Sequence, residues 1–540
     1  MNIKPFILPS LLAAGGLALA RRVIAAPRLT LAPAAPAVIP AAMPAVMAAA
    51  KSDGKPSAMP AAAQAGYHSA YAALDAYVES QMRRLNIPGI SLAVVSGSRI
   101  VHQRGFGLAR PGGQTPTPQT PFFIGSLTKS LTALAVMQLV EDGKLSLDTP
   151  VQDYLPWFRM ADPQASARIT IRHLLNQTSG LPCLPGELVL TDFDRQPGAL
   201  ERQMRALARL RLSHLPGETF EYSNLNFNLL GLVITASSGE DYAAYVQKHI
   251  FDPLAMRHSY TSKAAAQRHG LAVGHRHWFG RPYPAPNLPV PAGSLASGQL
   301  ISCAEDLAHY LIAQLNGGRY GDVQILSPAG IAELQRGAAD NLIFGTAMGK
   351  YAMGWFEIDL GGTRTCSHTG NVPEYSAYMA LVPGQHTGLV LLANSGTYGL
   401  PPITGELGMG LLALLAGQPP APIRLDFIQR IMRGLPLLPI LQLAGAAACL
   451  RRLCRLDSDL DHRPSRGRLQ QHLLFPLLPD LALASALVYL RASGLLSFLR
   501  LYMPDLAWIA RLSGGFAASW AILRTALVAR ALELEKRNPR

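Results

Sequence analysis

Three apolar runs crowd the end of the chain, at residues 434–450, 473–490 and 507–529. Each approaches the ~20 residues that a helix needs to cross a bilayer. The first carries no charge, the second only Asp480, and the third only Arg511 and Arg524, near its ends. They predict three transmembrane helices within 431–529, with the arginines of the third reaching the interface on their long stems. Asp480 is expected to lie at a helix break after Pro479 or to pair with a neighbouring span. The chain therefore divides into a membrane part and a part that folds in water.

Charge sets the orientation. The net charge of +14 is unevenly spread, since residues 421–540 hold 17 Lys and Arg against 8 Asp and Glu. Basic residues that flank apolar runs report membrane topology rather than a phosphate-binding face, so a nucleic-acid partner is not expected. Arg451, Arg452, Arg455, Arg463, Arg466 and Arg468 fill the first loop, and the tail 530–540 carries Arg530, Lys536, Arg537 and Arg540. The loop between the second and third runs has only Arg491 and Arg500. Three spans after an exported domain put both basic segments in the cytoplasm. The N-terminus agrees: Lys4, an apolar stretch over 6–20 and the small-residue ending Ala18-Leu19-Ala20 read as a signal peptide within 1–26. The expected location is the inner membrane, multi-pass, with the catalytic part in the periplasm or outside the cell. Five cysteines without metal-ligand spacing leave room for one disulfide and predict no metal and no other cofactor.

Residues 27–66, rich in Ala, Pro and Val, form a low-complexity linker. A folded domain is expected over 67–417. It opens with a helical pattern through Leu74, Val78 and Met82, then two strands at 90–95 and 100–106 joined by Ser96-Gly97-Ser98. The middle, to about residue 300, is loop-rich and helical in patches. Ser302-Cys303-Ala304-Glu305 reads as a capping box. Strands follow at 352–358, 363–367, 376–382 and 388–393, then a closing helix at 403–415. This order predicts an α/β fold of the α+β type, an antiparallel sheet flanked by helices with a helical subdomain, followed by the membrane helices.

Chemistry concentrates in Gly125-Ser126-Leu127-Thr128-Lys129, at the head of a long helical pattern that stops at Gly143. Residues three apart share a helix face, so Lys129 can take the Ser126 proton if burial lowers its pKa. Gly125 lets another group approach the backbone just ahead of the serine. A second Ser-x-x-Lys, Ser52 to Lys55, falls in the linker. Tyr222-Ser223-Asn224 is the only Tyr-x-Asn in the chain. Tyr222 can stand as a phenolate beside an ammonium or shuttle a proton, and Asn224 can bind a substrate carbonyl. His368-Thr369-Gly370 lies on a strand pattern whose edge can receive an extended substrate. His386-Thr387-Gly388 follows Pro383-Gly384 and reads as a turn.

In this order, Ser126-x-x-Lys129, Tyr222-x-Asn224 and His368-Thr369-Gly370 resemble the class C β-lactamase and DD-peptidase superfamily. The segments 173–181 and 216–224 resemble its framework. The resemblance implies a β-lactamase/transpeptidase-like fold and an acyl-Ser126 intermediate, with Lys129 and Tyr222 passing protons. It places the oxyanion between the backbone N–H groups of Ser126 and Asn371, and the substrate along Asn224, His368, Thr369 and Gly370. Class C β-lactamases carry Lys where this chain has His368, so no fixed charge is expected there to hold a carboxylate. With the three spans, the layout looks like that of periplasmic prodrug-activating peptidases that remove an acyl-D-asparagine cap. The expectation is a membrane-anchored peptidase or amidase acting on a small peptide or acyl-D-amino-acid substrate that could be lipid-linked. A carboxylesterase, a β-lactamase, or a non-catalytic receptor or scaffold are the alternatives.

Overall fold

A computed structural model describes residues 61–194, 196–343, 346–396, 403–423, 425–458 and 475–537. The expected signal peptide, the linker up to residue 60 with its Ser52/Lys55 pair, and most of the basic loop lie outside the described residues. The helices used below are α1 (Ala61–Leu85), α2 (Thr128–Glu141), α3 (Cys183–Leu188), α4 (Asn224–Ser238), α5 (Ala304–Leu315) and α6 (Ile403–Leu415). In the C-terminal part they are α7 (Leu437–Ser458), α8 (Phe475–Ala492), α9 (Leu495–Tyr502) and α10 (Pro504–Arg537).

Eight strands form one antiparallel sheet: β1 (Gly89–Ser96), β2 (Arg99–Gly107), β3 (Ala339–Ile343), β4 (Thr346–Tyr351), β5 (Phe356–Leu360), β6 (Thr363–Val372), β7 (Tyr375–Val382) and β8 (Thr387–Ala393). Their order is β2-β1-β8-β7-β6-β5-β4-β3. The first and last strands of the sheet in sequence thus meet in its middle, where β1 pairs with β8 from Ile90 opposite Ala393 to Ser96 opposite Thr387. Side chains alternate across a strand, and here both faces are covered, which explains the unbroken apolar pattern of β1. Ile90, Leu92 and Val94 join Leu74 and Val78 of α1 and Leu407 and Leu411 of α6 in one core. Ala93 and Val95 face the other core, built on Leu131 and Leu134 of α2 and Leu307 and Leu311 of α5.

Several sequence expectations need correction. Helix α1 begins at Ala61, inside the stretch assigned to the linker. The strand expected at 352–358 is a turn followed by β5, because Gly354 at φ +79° reverses the chain. Strands β3 and β4, ahead of it, were not expected. The capping box does not form. Cys303 is the N-cap of α5, and Ser302 instead bonds Ser259 (Oγ–Oγ 2.8 Å). The turn expected at His386 is present, with that residue left-handed at φ +49°. Cys183, Cys303, Cys366 and Cys449 are free thiols.

Among the described residues, two helical stretches are long and apolar enough to cross a membrane, Arg430–Arg451 and Pro504–Leu527. The expected middle span is not one straight helix, since Leu477–Ala492 and Leu495–Tyr502 meet at 88° around Ser493-Gly494. The 18 residues of α8 still measure ~27 Å at 1.5 Å per residue, close to a bilayer core. Helix α9 then runs across its end. Arg524 of α10 does not reach outward as expected. It is buried and pairs with Asp480 of α8 (Nη1–Oδ2 3.4 Å), the second of the two arrangements anticipated for that acid. Removing one member of a buried pair strands the other charge, whereas removing both does not. Asp480→Ala is therefore expected to lower the thermal unfolding midpoint in detergent by several degrees, and adding Arg524→Leu to restore most of it. Equal losses in the single and double variants would remove the pairing from consideration.

Candidate active site

Ser126 stands in a single 3-10 turn, Gly125–Leu127, that runs into α2. Gly125 has φ +54°, and a Cβ on it would collide with the backbone N of Asn371 and with Gly370. In the same way a Cβ on Gly370 would collide with the Ile124 carbonyl. These two glycines let the turn press against the edge of β6. On this side β5 pairs with β6 only as far as Ser367, opposite Phe356, while β7 follows β6 to Val372 on the other side. Residues His368 to Val372 thus run past the end of β5, alongside the serine turn.

Lys129 is fully buried on the first turn of α2. Its Nζ donates to Asn224 Oδ1 (2.7 Å) and to the Ser297 carbonyl (2.7 Å), and lies 3.0 Å from Ser126 Oγ. Burial lowers its pKa to about 7, against the opposing pull of the Glu187 carboxylate. A neutral amine has two hydrogens and one lone pair. Asn224 Oδ1 and the Ser297 carbonyl can only accept, so they take the hydrogens and leave the lone pair aimed at Ser126. The partner set orients the base.

Tyr222 donates its hydroxyl to Ser126 Oγ (2.9 Å), and Lys129 Nζ lies 4.9 Å from the centre of its ring. Burial pushes the Tyr222 pKa well above its ordinary value, with Tyr351 adding to the shift. The phenolate anticipated from sequence is therefore disfavoured, and the group is a phenol able to relay a proton. Asn224 also departs from expectation. Its Nδ2 donates to the Gly186 carbonyl (3.2 Å) and to Glu187 Oε1 (3.2 Å), so the amide is engaged by α3 and holds the lysine rather than facing a substrate carbonyl.

Asn224→Asp would put a carboxylate against Lys129 Nζ. An adjacent opposite charge raises an amine pKa, so the acid limb of the pH–rate profile is expected to move up from about 7 by roughly a unit or more. Turnover at pH 7 would fall about tenfold and recover in part near pH 9. An unmoved limb would show that Asn224 does not set the lysine's proton affinity.

His368 is buried on β6, its Nδ1 donating to the Thr369 carbonyl (2.6 Å) while Nε2 has no partner. Burial first, and the Lys129 charge second, bring its pKa down to about 3. It is neutral at pH 7, as expected for a site lacking a fixed charge. Thr369 is half-buried on the same strand, and Asn371 lies beside Gly125.

The framework segments hold the tyrosine in place. Gln177, left-handed at φ +58°, accepts from Ser223 N at its side-chain oxygen (2.9 Å) and from Glu221 N at its carbonyl (2.9 Å). Asn226 Nδ2 donates to the same Gln177 side-chain oxygen. The chain on both sides of Tyr222 is thereby clamped. Sequence reasoning missed Glu187, Ser297 and an aromatic wall of Phe220, Tyr351 and Phe356, whose rings pack 4.8–6.3 Å apart beside His368. Only Phe220 carried a signal, by its place in the 216–224 segment. Among the described residues no group of three His, Cys, Asp or Glu side chains is arranged to hold a metal.

Comparison with known proteins bears on this geometry. Residues 74–404 match the family described as Beta-lactamase. Protein flp of Staphylococcus aureus (strain MW2) is 29% identical over 344 residues, 62% of this chain and 65% of the relative. The chain thus spans about two thirds of the length of that relative. Penicillin-binding protein 4 of Amycolatopsis lactamdurans is 31% identical over 319 residues, 58% of this chain and 82% of the relative. An octameric penicillin-binding protein homologue from Pyrococcus abyssi superposes with a TM-score of 0.56 at 31% identity, over 64% of this chain and 77% of that one. A class C beta-lactamase does so with a TM-score of 0.53 at 22% identity, over 63% and 94%, a likeness of fold alone.

Proposed function

The chain belongs to the beta-lactamase family, and from that membership we propose that it is a membrane-anchored serine hydrolase working through an acyl-serine intermediate. The observation that carries the reading is Ser126 Oγ held between Lys129 Nζ (3.0 Å) and the Tyr222 hydroxyl (2.9 Å), with the lysine titrating at about 7. Near neutrality a large fraction of Lys129 is free amine. It accepts the Ser126 proton as Oγ bonds to the substrate carbonyl carbon. The backbone N–H groups of Ser126 and Asn371 receive the oxyanion. Tyr222 passes a proton to the leaving group, and a water molecule then releases the acyl group from Ser126 by the reverse relay.

The substrate class we favour is a small peptide or amide containing a D-amino acid, supported by the resemblance to prodrug-activating peptidases and by the strand edge at His368–Asn371. The named penicillin-binding relatives are consistent with peptide-like substrates. An ester substrate is the second reading, and it has its own support. His368 is neutral, so a substrate carboxylate finds no cation on that strand position. The apolar helices α7 and α10 would anchor the enzyme in the inner membrane. Helix α8 would bring the chain back to the periplasmic side, where α9 meets the catalytic domain.

The test is intact-mass analysis of the full-length protein exposed to an N-acyl-D-asparaginyl peptide, alongside Ser126→Ala. Product release or an adduct that depends on Ser126 supports the D-peptidase reading. Turnover of simple esters without any reaction of that peptide would replace it by the esterase reading.

A further inference from the structure

The edge of β6 gives the site a direction. With the oxyanion at Asn371 and the leaving group beside His368 and Thr369, the acyl portion of an extended substrate continues toward Val372 and the β6–β7 turn. A narrow cavity lies there. Its walls include Phe123, three residues ahead of Ser126, together with Leu190, Val372 and Glu374 of the catalytic domain. Pro289 to Pro291, Gln299 and Pro373 also line it, as do Leu501 and Tyr502, the last two residues of α9. Two residues of the C-terminal helices therefore line a cavity that is bounded by Phe123, ahead of the serine turn, and by Val372 at the end of β6.

The placement of α9 is fixed at both ends. At its start, Gly494 packs on the Leu188 side chain at the end of α3, one residue beyond the Glu187 that holds Asn224. At its end, the Arg500 carbonyl accepts from Arg276 Nη2, and Asp505 Oδ2 accepts from Phe279 N (2.9 Å). Both donors belong to the hairpin of His275–Trp278 and Arg281–Pro284. Trp508 packs on Trp278 and Phe279 of this hairpin at 6.0 and 6.4 Å between ring centres. Tyr502 stands within electrostatic reach of both Glu187 and Glu374. The 88° bend after α8 is what lays α9 across the catalytic domain.

We propose that Leu501 and Tyr502 form the far wall of the acyl subsite, so that the membrane part sets the size of the acyl group the enzyme accepts. The proposal rests on the acyl-serine reading above. The lining is apolar apart from the Tyr502 hydroxyl, Gln299 and Glu374, and it suits an aliphatic or aromatic acyl group rather than an anionic one.

The test uses full-length protein in detergent with p-nitrophenyl acetate and p-nitrophenyl octanoate, and reads the ratio of their kcat/KM values. Leu501→Ala and Tyr502→Ala remove bulk from the wall and are expected to raise the octanoate-to-acetate ratio roughly tenfold or more. Leu501→Trp adds bulk and is expected to lower the ratio by a similar factor. Loss of folding cannot move one ratio in opposite directions. Leu441→Ala, on an outward-facing position of α7, should keep the wild-type ratio. Ratios within twofold of wild type in all three wall variants, or shifts of the same sign in Leu501→Ala and Leu501→Trp, would overturn the proposal. Failure of the underlying reading looks different: ester hydrolysis that is absent in wild type, or unaffected by Ser126→Ala, removes the acyl-serine premise and the proposal with it.

Discussion

Ser126→Ala is expected to lower kcat/KM for every ester or amide the enzyme turns over by on the order of 10⁴- to 10⁶-fold, the scale seen when a nucleophile is removed from a cooperating set. The fold should barely respond. Lys129 keeps Asn224 and the Ser297 carbonyl, and Tyr222 remains packed against Tyr351. The hydroxyl's departure removes contacts worth about 1 kcal/mol net, a shift of roughly 2–4 °C in the unfolding midpoint for a domain of this size. A large kinetic loss with a small thermal one is what separates an enzyme from a receptor or scaffold of the same fold. Residual hydrolysis within tenfold of wild type, by a well-folded variant, would sink the nucleophile assignment and favour the non-catalytic alternative.

Legibility from sequence followed the range of the interactions. Local patterns were readable: the strand-like runs of β1, β6, β7 and β8, the closing helix α6, and the spacing that puts Lys129 one turn after Ser126. Motifs far apart in the chain came together as expected, since Tyr222 and Lys129 both meet Ser126. What sequence could not supply was the role left to each polar atom once its neighbours had claimed the others. Asn224 looked like a substrate ligand, but Gly186 and Glu187 of a short helix take its amide hydrogens. No spacing rule links those residues to it. Tyr222 looked able to stand as a phenolate, but that depends on how deeply it is buried among Tyr351 and His368.

The C-terminal apolar helices taught the same lesson from the opposite direction. Hydropathy located all three apolar runs and sent the arginines of the third, Arg511 and Arg524, to the interface. The structure differs at the second of these. Arg524 finds Asp480, an acid 44 residues away in sequence, so the third run carries a long continuous helix. The middle run, nearly free of charge, is the one followed by a sharp bend. Ser493-Gly494 supplies the break, with Gly494 left-handed at φ +78°, and the bend is what delivers Leu501 and Tyr502 to the catalytic domain. Only a partner on another element gives either feature its meaning.

Lys129→Met is expected to abolish turnover as thoroughly as loss of the nucleophile, while its effect on stability depends on pH in a way that identifies the base. In the folded enzyme the amine titrates at about 7, against an ordinary value of 10.5. Between those values the unfolded chain holds a proton that the folded one has lost, so wild-type stability rises with pH across that window. Below pH 7 both states are protonated and the full penalty of a buried ammonium remains. Methionine has a similar shape and no proton to lose, so it escapes this term. It also leaves Asn224 Oδ1 and the Ser297 carbonyl without their donor, at about 1–3 kcal/mol each, but that cost is independent of pH. The stability of the variant relative to wild type should therefore be most favourable at pH 6–7 and decline by about 2 kcal/mol by pH 9. Unfolding midpoints of the two proteins, measured in one detergent at each pH unit from 6 to 9, read this difference directly. A difference that stays flat across the series would mean that Lys129 binds its proton alike in the folded and unfolded chains. An amine of that kind is an ammonium at pH 7 and cannot take the proton from Ser126.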